Sequence, residues 1–181
     1  MNKIMKELFS TGLYLLCVLC LTYLMITFVG QRTEVDGESM ETTLSDGDNL
    51  IVDKLTYRFS DPKRFDIIVF PFQYQEDTYY IKRIIGMPGE TVQIDAKGNI
   101  YIDGKILTES YGREIIRPDT IGIAAEPITL GEDEYFVMGD NRNNSSDSRT
   151  EIVGNVHRGD IIGRAWVRIW PFSKFGVLRH Q

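Results

Sequence analysis

"NIYIDGKIL", residues 99–107, reads as two short strands around a two-residue turn. Ile100 and Ile102 flank Tyr101 with the period of two that a strand with one buried face requires. Asp103-Gly104 at the tip is a dipeptide that accepts the positive φ angles of tight hairpin turns. Outward from this hairpin the pattern repeats. "DNLIVDKL" (48–55), "DIIVFPF" (66–72), "TYYIKRIIG" (78–86), "TVQID" (91–95), "EYFVMGD" (134–140) and "DIIGRAWVRIW" (160–170) are β-rich runs. Asp61-Pro62, Pro88-Gly89 and Lys97-Gly98-Asn99 break them at short intervals. No segment after residue 31 sustains a helical period. The expected fold is therefore all-β, with antiparallel sheets packed as a sandwich or irregular barrel. Residues 108–131, with Pro118 and Pro127, read as a long excursion from the sheets.

Ahead of the β region lies "LFSTGLYLLCVLCLTYLMITFVG", residues 8–30, which carries no charged side chain. At ~1.5 Å per residue it would extend ~34 Å as a helix, enough to cross a hydrocarbon core of ~30 Å. A cleaved signal peptide has a shorter apolar region and a small-residue cleavage site, and "TFVGQRT" is a poor one. The expected organisation is a cytoplasmic tail (1–7), one transmembrane helix (8–30) and an extracytoplasmic β domain (31–181). Lys3 and Lys6 precede the span, whereas Arg32 is soon followed by Glu34, Asp36 and Glu38. The positive-inside rule thus places the N-terminus in the cytoplasm of a single-pass protein of the cell membrane.

The 181 residues are 43% hydrophobic and 25% charged, which suits a globular core rather than a disordered chain. A net charge of −6 is a poor footprint for nucleic acid. Cys17 and Cys20 both fall inside the span, where they read as small apolar residues, so no disulfide is expected in the outer domain. His157 and His180 are the only histidines, and no metal or cofactor is implied.

Three segments invite a chemical reading. "VDGESMETTL" (35–44) offers Ser39 two residues after Gly37, although turn chemistry alone could account for it. "YYIKRIIGMPGE" (79–90) sets Lys82 and Arg83 inside an apolar run, and strand alternation sends them to opposite faces. If Lys82 is the one that points inward, burial would lower its pKa and make a neutral general base. The alternative is a lysine that snorkels or pairs on an exposed face. "GDNRNNSSDSR" (139–149) is too polar for a strand and follows one, as a site loop on a rigid scaffold would. It could equally be a solvated loop or a glycosylation acceptor at Asn143 or Asn144.

Taken together and in this order, the membrane span, "GESMETTL", "YYIKRIIGMPGE" and "GDNRNNSSDSR" resemble the bacterial type I signal peptidases over nearly the whole chain. The closing "GRAWVRIWPFSKFG" is similar to that family's last strand and tail, and the short interval between Lys82 and Gly139 to its compact Gram-positive members. The resemblance implies a membrane-bound serine endopeptidase that cleaves signal peptides after small residues. Ser39 then matches the nucleophile and Lys82 the general base. Ser145 matches a hydroxyl that hydrogen-bonds the lysine. Arg83, Asp147 and Arg149 match residues joined in ion pairs around the site, within a box that also holds Asp140. Met40 matches an apolar neighbour, and the Ser39 N–H an oxyanion donor. Implied partners are presecretory proteins as substrates, the bilayer and the secretion translocon.

Two positions depart from the family pattern. Thr42 stands where a proline is expected, which would leave the segment after Ser39 looser. Gly37 stands where some relatives carry a hydroxyl for the oxyanion hole. An alternative is a non-catalytic or specialised relative that assists surface-fibre or pilin assembly. A self-cleaving repressor would share the serine–lysine chemistry but expects a DNA-binding region in place of the span. Ser39 lies nine residues past Gly30 and hence within ~32 Å of the end of the span. Phe65, Phe70, Phe72, Trp166, Trp170, Phe172 and Phe175 are expected mostly in the sheet core, with an apolar surface near the bilayer as the alternative.

Overall fold

The structure, a computed structural model, describes residues 3–24 and 30–178. Helix α1 runs Lys3–Leu24, and its stretch Ile4–Leu24 is long and apolar enough to cross a membrane, with mean hydropathy 1.7. It begins five residues before the expected span. Lys3, Lys6 and Glu7 are good helix formers, so the start of an apolar run does not mark the start of a helix. Residues 25–29 and His180 lie outside the described residues. Gly30, expected to close the span, instead opens strand β1 (Gly30–Glu34), opposite Asp53.

The remaining strands are β2 (Asn49–Asp53), β3 (Ile67–Pro71), β4 (Tyr79–Gly86), β5 (Thr91–Ile94), β6 (Ile100–Ile102), β7 (Lys105–Ile106), β8 (Ile128–Thr129), β9 (Glu134–Met138), β10 (Val156–His157), β11 (Gly163–Trp170) and β12 (Gly176–Val177). Among the described residues they form two antiparallel sheets. The larger has the order β1-β2-β11-β3-β4-β9-β10, with β12 also on β11, and the smaller β7-β6-β5-β8. The all-β expectation holds. The β6–β7 hairpin closes at the pair Ile102–Lys105, with Asp103 (φ 50°) and Gly104 (φ 74°) both left-handed at its tip.

In β3 the run "IIVF" is apolar without interruption because both faces of the larger sheet are covered. Ile67 and Val69 join a cluster with Met40, Leu44, Leu50 and Val52, while Ile68 and Phe70 join one with Tyr57, Ile84, Tyr135 and Val137. A third cluster cements the smaller sheet. Val92, Ile94, Ile100 and Ile102, the alternate residues of β5 and β6, pack on Phe65, Ile85, Phe136 and Met138. Gly86 permits this approach, since a Cβ there would stand 2.5 Å from Val92 Cγ2 and 2.8 Å from Leu130 Cδ1.

Residues 108–131 are less of an excursion than expected. Ile128–Thr129 pairs with β5, and Ile116, Ile121, Ala124 and Leu130 belong to the third cluster or line it. A two-residue strand is too short to show a period, so its partner rather than its sequence reveals it. The aromatic residues also divide differently. Phe65 and Phe70 are core residues, but Trp166, Trp170, Phe172 and Phe175 are exposed. Strand β11 lies in the sheet with alternate side chains turned outward, and Phe172 and Phe175 follow it in a surface turn.

Candidate active site

Ser39 sits at the start of the turn that links β1 to β2. The preceding Gly37 has φ 91°, a left-handed conformation that glycine adopts freely, and its N–H donates to Asp46 Oδ1 at 2.8 Å. After the serine, Met40 and Leu44 are buried, and the N–H groups of Thr43 and Leu44 both donate to the Met40 carbonyl at 2.9 Å. The Thr43 hydroxyl donates to Asp140 Oδ2 at 2.5 Å. The expected looseness from Thr42 therefore has a counterweight: two buried side chains and a buried carboxylate fix the residues on either side of it. The Glu41–Thr42 peptide bond is cis.

Lys82 and Arg83 are both buried, at 4% and 0% exposure, where the sequence led one to expect a single inward charge. Alternation does separate them, Lys82 opposite Ile68 and Arg83 opposite Ile67, but both faces of β4 are covered at these two positions. The Lys82 ammonium donates to Ser39 Oγ at 2.8 Å and to the Ile81 carbonyl at 3.1 Å. The Tyr80 ring lies 4.8 Å from Nζ. Burial pushes the Lys82 pKa down to about 8, against the fields of Asp147 and Asp140, which favour the ammonium.

On the other face, Arg83 grips Asp140 through two bonds, Nε to Oδ1 at 2.8 Å and Nη2 to Oδ2 at 2.7 Å. Both side chains are fully buried. Arg83 also donates from Nη1 to the Phe65 carbonyl at 2.9 Å. Asp147 forms a second two-bond pair, with Arg149, at 2.8 Å for each bond. Burial would raise the Asp147 pKa, but Arg149 and the Gly139 N–H outweigh it and hold the carboxyl below its ordinary value. Both pairs thus sit where the polar box 139–149 meets β4 and β9.

Ser145 differs from its expected part. Among the described residues its buried Oγ meets no partner in good hydrogen-bond geometry, and the Lys82 amine reaches Ser39 and Ile81 instead. Ser145 nonetheless lies close enough to Asp147 to favour the carboxylate. Gly139 explains how the box approaches the serine turn. A Cβ on it would fall 2.4 Å from the Ser39 carbonyl oxygen and 2.3 Å from Ser145 Oγ. Next to it, Asn141 N–H donates to that same Ser39 carbonyl at 3.0 Å, and its side-chain amide donates to the Glu38 carbonyl at 3.1 Å. Gly139→Ala is expected to displace the Ser39 backbone and lower kcat/KM by ~100-fold, because an error of ~1 Å in a reacting group has that effect. Steady-state cleavage kinetics of the folded variant check this.

Sequence reasoning passed over Thr43, Asn141 and the partners of the segment 109–120. Arg142 is buried and pairs with Glu109, and Asn143 Oδ1 accepts from the Arg117 N–H at 2.9 Å and the Thr120 hydroxyl at 2.8 Å. Asn143 is thus a structural tie. Thr43 and Asn141 adjoin residues already singled out and could have been found there. Glu109 had no such signal.

A cleft of about 250 Å³ opens beside the two reactive groups. Val35, Gly37, Ser39, Met40, Ile81 and Lys82 line it, with Tyr79 and Tyr80 on one side. A hydroxyl in contact with a desolvated amine, at the base of a small cleft, can perform nucleophilic attack on a carbonyl with local proton transfer.

The family model of "signal peptidase, peptidase S26" matches residues 8–170. The chain is 41% identical over 157 residues to a probable signal peptidase I-2 of Synechocystis sp., covering 84% of this chain and 68% of that one. It is 43% identical over 159 residues to signal peptidase I of Leptolyngbya laminosa, covering 84% and 74%. It is 35% identical over 171 residues to signal peptidase I P of Bacillus subtilis subsp. natto, covering 92% and 89%. With a serine, a buried lysine and the polar box gathered on one β scaffold, and with matches of this extent, the chain belongs to the signal peptidase family, peptidase S26.

Proposed function

We propose that this protein is a membrane-tethered serine endopeptidase that removes N-terminal signal peptides from secreted proteins, cutting after small residues. The observation that carries the reading is the 2.8 Å contact between Ser39 Oγ and a lysine amine that is almost wholly buried. The neutral Lys82 amine takes the Ser39 hydroxyl proton as Oγ attacks the scissile carbonyl. The N–H of Ser39 stabilises the oxyanion. The resulting ammonium gives its proton to the leaving amine, and the acyl group stays on Ser39. Lys82 then takes a proton from the water that attacks the ester and returns it to Ser39 Oγ as the acyl group departs, which restores the free serine and the neutral amine. Gly37 contributes no hydroxyl, and its own N–H is engaged by Asp46, so the backbone of Ser39 carries this part. The cleft is small enough to suit short side chains beside the scissile bond.

Helix α1 anchors the enzyme, with the N-terminus in the cytoplasm and the β domain outside, in reach of signal peptides emerging from the translocon. The fibre-assembly alternative has no observation in its favour, since it needs neither a nucleophile nor a base and these are the groups in contact. The test is incubation of the full-length protein, in detergent micelles, with a presecretory protein. The mature product should begin immediately after a small residue, and Ser39→Ala should yield none. Absence of cleavage by the unaltered protein, or equal cleavage by Ser39→Ala, would end this reading.

A further inference from the structure

We propose that Tyr111 is a positioning residue for the site: its ring seals the buried Arg83–Asp140 pair and thereby disfavours the protonated form of Lys82. The inference rests on the serine–lysine reading above. The Tyr111 ring faces the Arg83 guanidinium, 3.6 Å from Cζ to the ring centroid, and meets the Phe65 ring at 5.2 Å. Phe65 has φ 72°, a backbone conformation uncommon for a bulky residue, and its carbonyl is the one that Arg83 Nη1 binds. The guanidinium is therefore held on one side by a ring and in its own plane by a carbonyl and a carboxylate. The segment carrying Tyr111 is itself fixed. The Arg113 N–H donates to the Asp140 carbonyl at 2.9 Å, and Arg142 Nη2 donates to Glu109 at 2.7 Å.

The link to Lys82 is electrostatic. Its ammonium is favoured by Asp147 and Asp140 and disfavoured by burial. Arg149 and Arg83 neutralise these two carboxylates in turn, and the Tyr80 ring completes the surroundings of the amine. Loss of the Tyr111 ring would let water reach the Arg83–Asp140 pair and loosen it. Weaker neutralisation of Asp140 and easier hydration nearby both favour the ammonium. Burial raises the Tyr111 phenol above its ordinary value, so Tyr111 does not itself titrate between pH 6 and 9.

The experiment is the pH profile of kcat/KM, measured with full-length protein in detergent micelles on a presecretory substrate. Tyr111→Leu fills similar space without a π-face. Its acid limb should move to higher pH by ~0.5 unit, a loss of about threefold at pH 7 with a nearly unchanged alkaline plateau. Tyr111→Phe, which keeps the ring, should restore the wild-type limb. A Tyr111→Leu limb that coincides with wild type overturns the inference, as does a uniform loss at every pH, which is the mark of simple packing. A wild-type profile with no acid limb at all removes the serine–lysine reading and this inference with it.

Discussion

Lys82→Met is expected to leave a protein that is more stable and catalytically dead. On the mechanism proposed above, loss of the base that acts in concert with the nucleophile is expected to lower kcat by ~10⁴-fold or more, as in serine proteases whose triad acts as a unit. Methionine matches the lysine stem in length and needs no partner. A lysine amine whose pKa falls from an ordinary 10.5 to about 8 on folding costs the folded state about 3 kcal/mol wherever both states would be protonated. The sign follows from proton counts. Between pH 8 and 10.5 the unfolded chain binds the proton that the folded chain has released. Stability from this group therefore rises with pH across that window, and the full penalty applies below it. Lys82→Met escapes the penalty but loses the bonds to Ser39 and Ile81, for a net gain of ~1–2 kcal/mol at pH 7. The measurable form is a higher Tm than wild type at pH 7, with the gap narrowing as pH approaches 10. Wild-type kcat/KM should also fall about tenfold per pH unit below about 8. Retained cleavage by Lys82→Met would count decisively against the mechanism.

The second large effect concerns stability. Asp140→Asn keeps the shape of the side chain but leaves the Arg83 guanidinium, at zero exposure, facing a neutral amide. An uncompensated buried charge costs ~3–5 kcal/mol, a large share of the stability of a single domain. The Thr43 bond to Asp140 Oδ2 weakens at the same time, so the turn carrying Ser39 is affected as well. Urea unfolding of the full-length chain in micelles should show the loss as a lower midpoint. The double variant Arg83→Met with Asp140→Leu removes both charges and should be more stable than Asp140→Asn alone. A single variant within ~1 kcal/mol of wild type would mean that water already solvates the pair.

Much of this was legible before any coordinates. Alternation in "NIYIDGKIL" and its neighbours identified the strands, because a side chain's face in a sheet follows directly from its position in the chain. The Asp103-Gly104 turn followed from backbone sterics. The two-residue strand Ile128–Thr129 carries no period of its own and, unlike Lys105–Ile106, no hairpin turn marks it. The helix starts ahead of the apolar run because apolar composition reports what a membrane accepts rather than where backbone hydrogen bonding begins. Four of the seven large aromatics proved exposed because a hydrophobic residue is free to remain at the surface, and sequence does not say when it does.

The sequence by itself determined which residue types were available: a serine after a turn, a lysine in an apolar strand and a polar box rich in paired charges. Only the tertiary structure decided their partners. Ser39 and Lys82 are 43 residues apart, and Arg83 and Asp140 are 57 apart. Side-chain spacing within one strand fixes a face, but which segment covers that face depends on how the sheets pack. Burial of Lys82 and Arg83 on both sides of β4 at once is such a packing outcome. So are the closeness of Gly139 to Ser39 and the placing of Tyr111 over Arg83. Desolvation depends on everything around a group, and no local stretch of sequence contains that information.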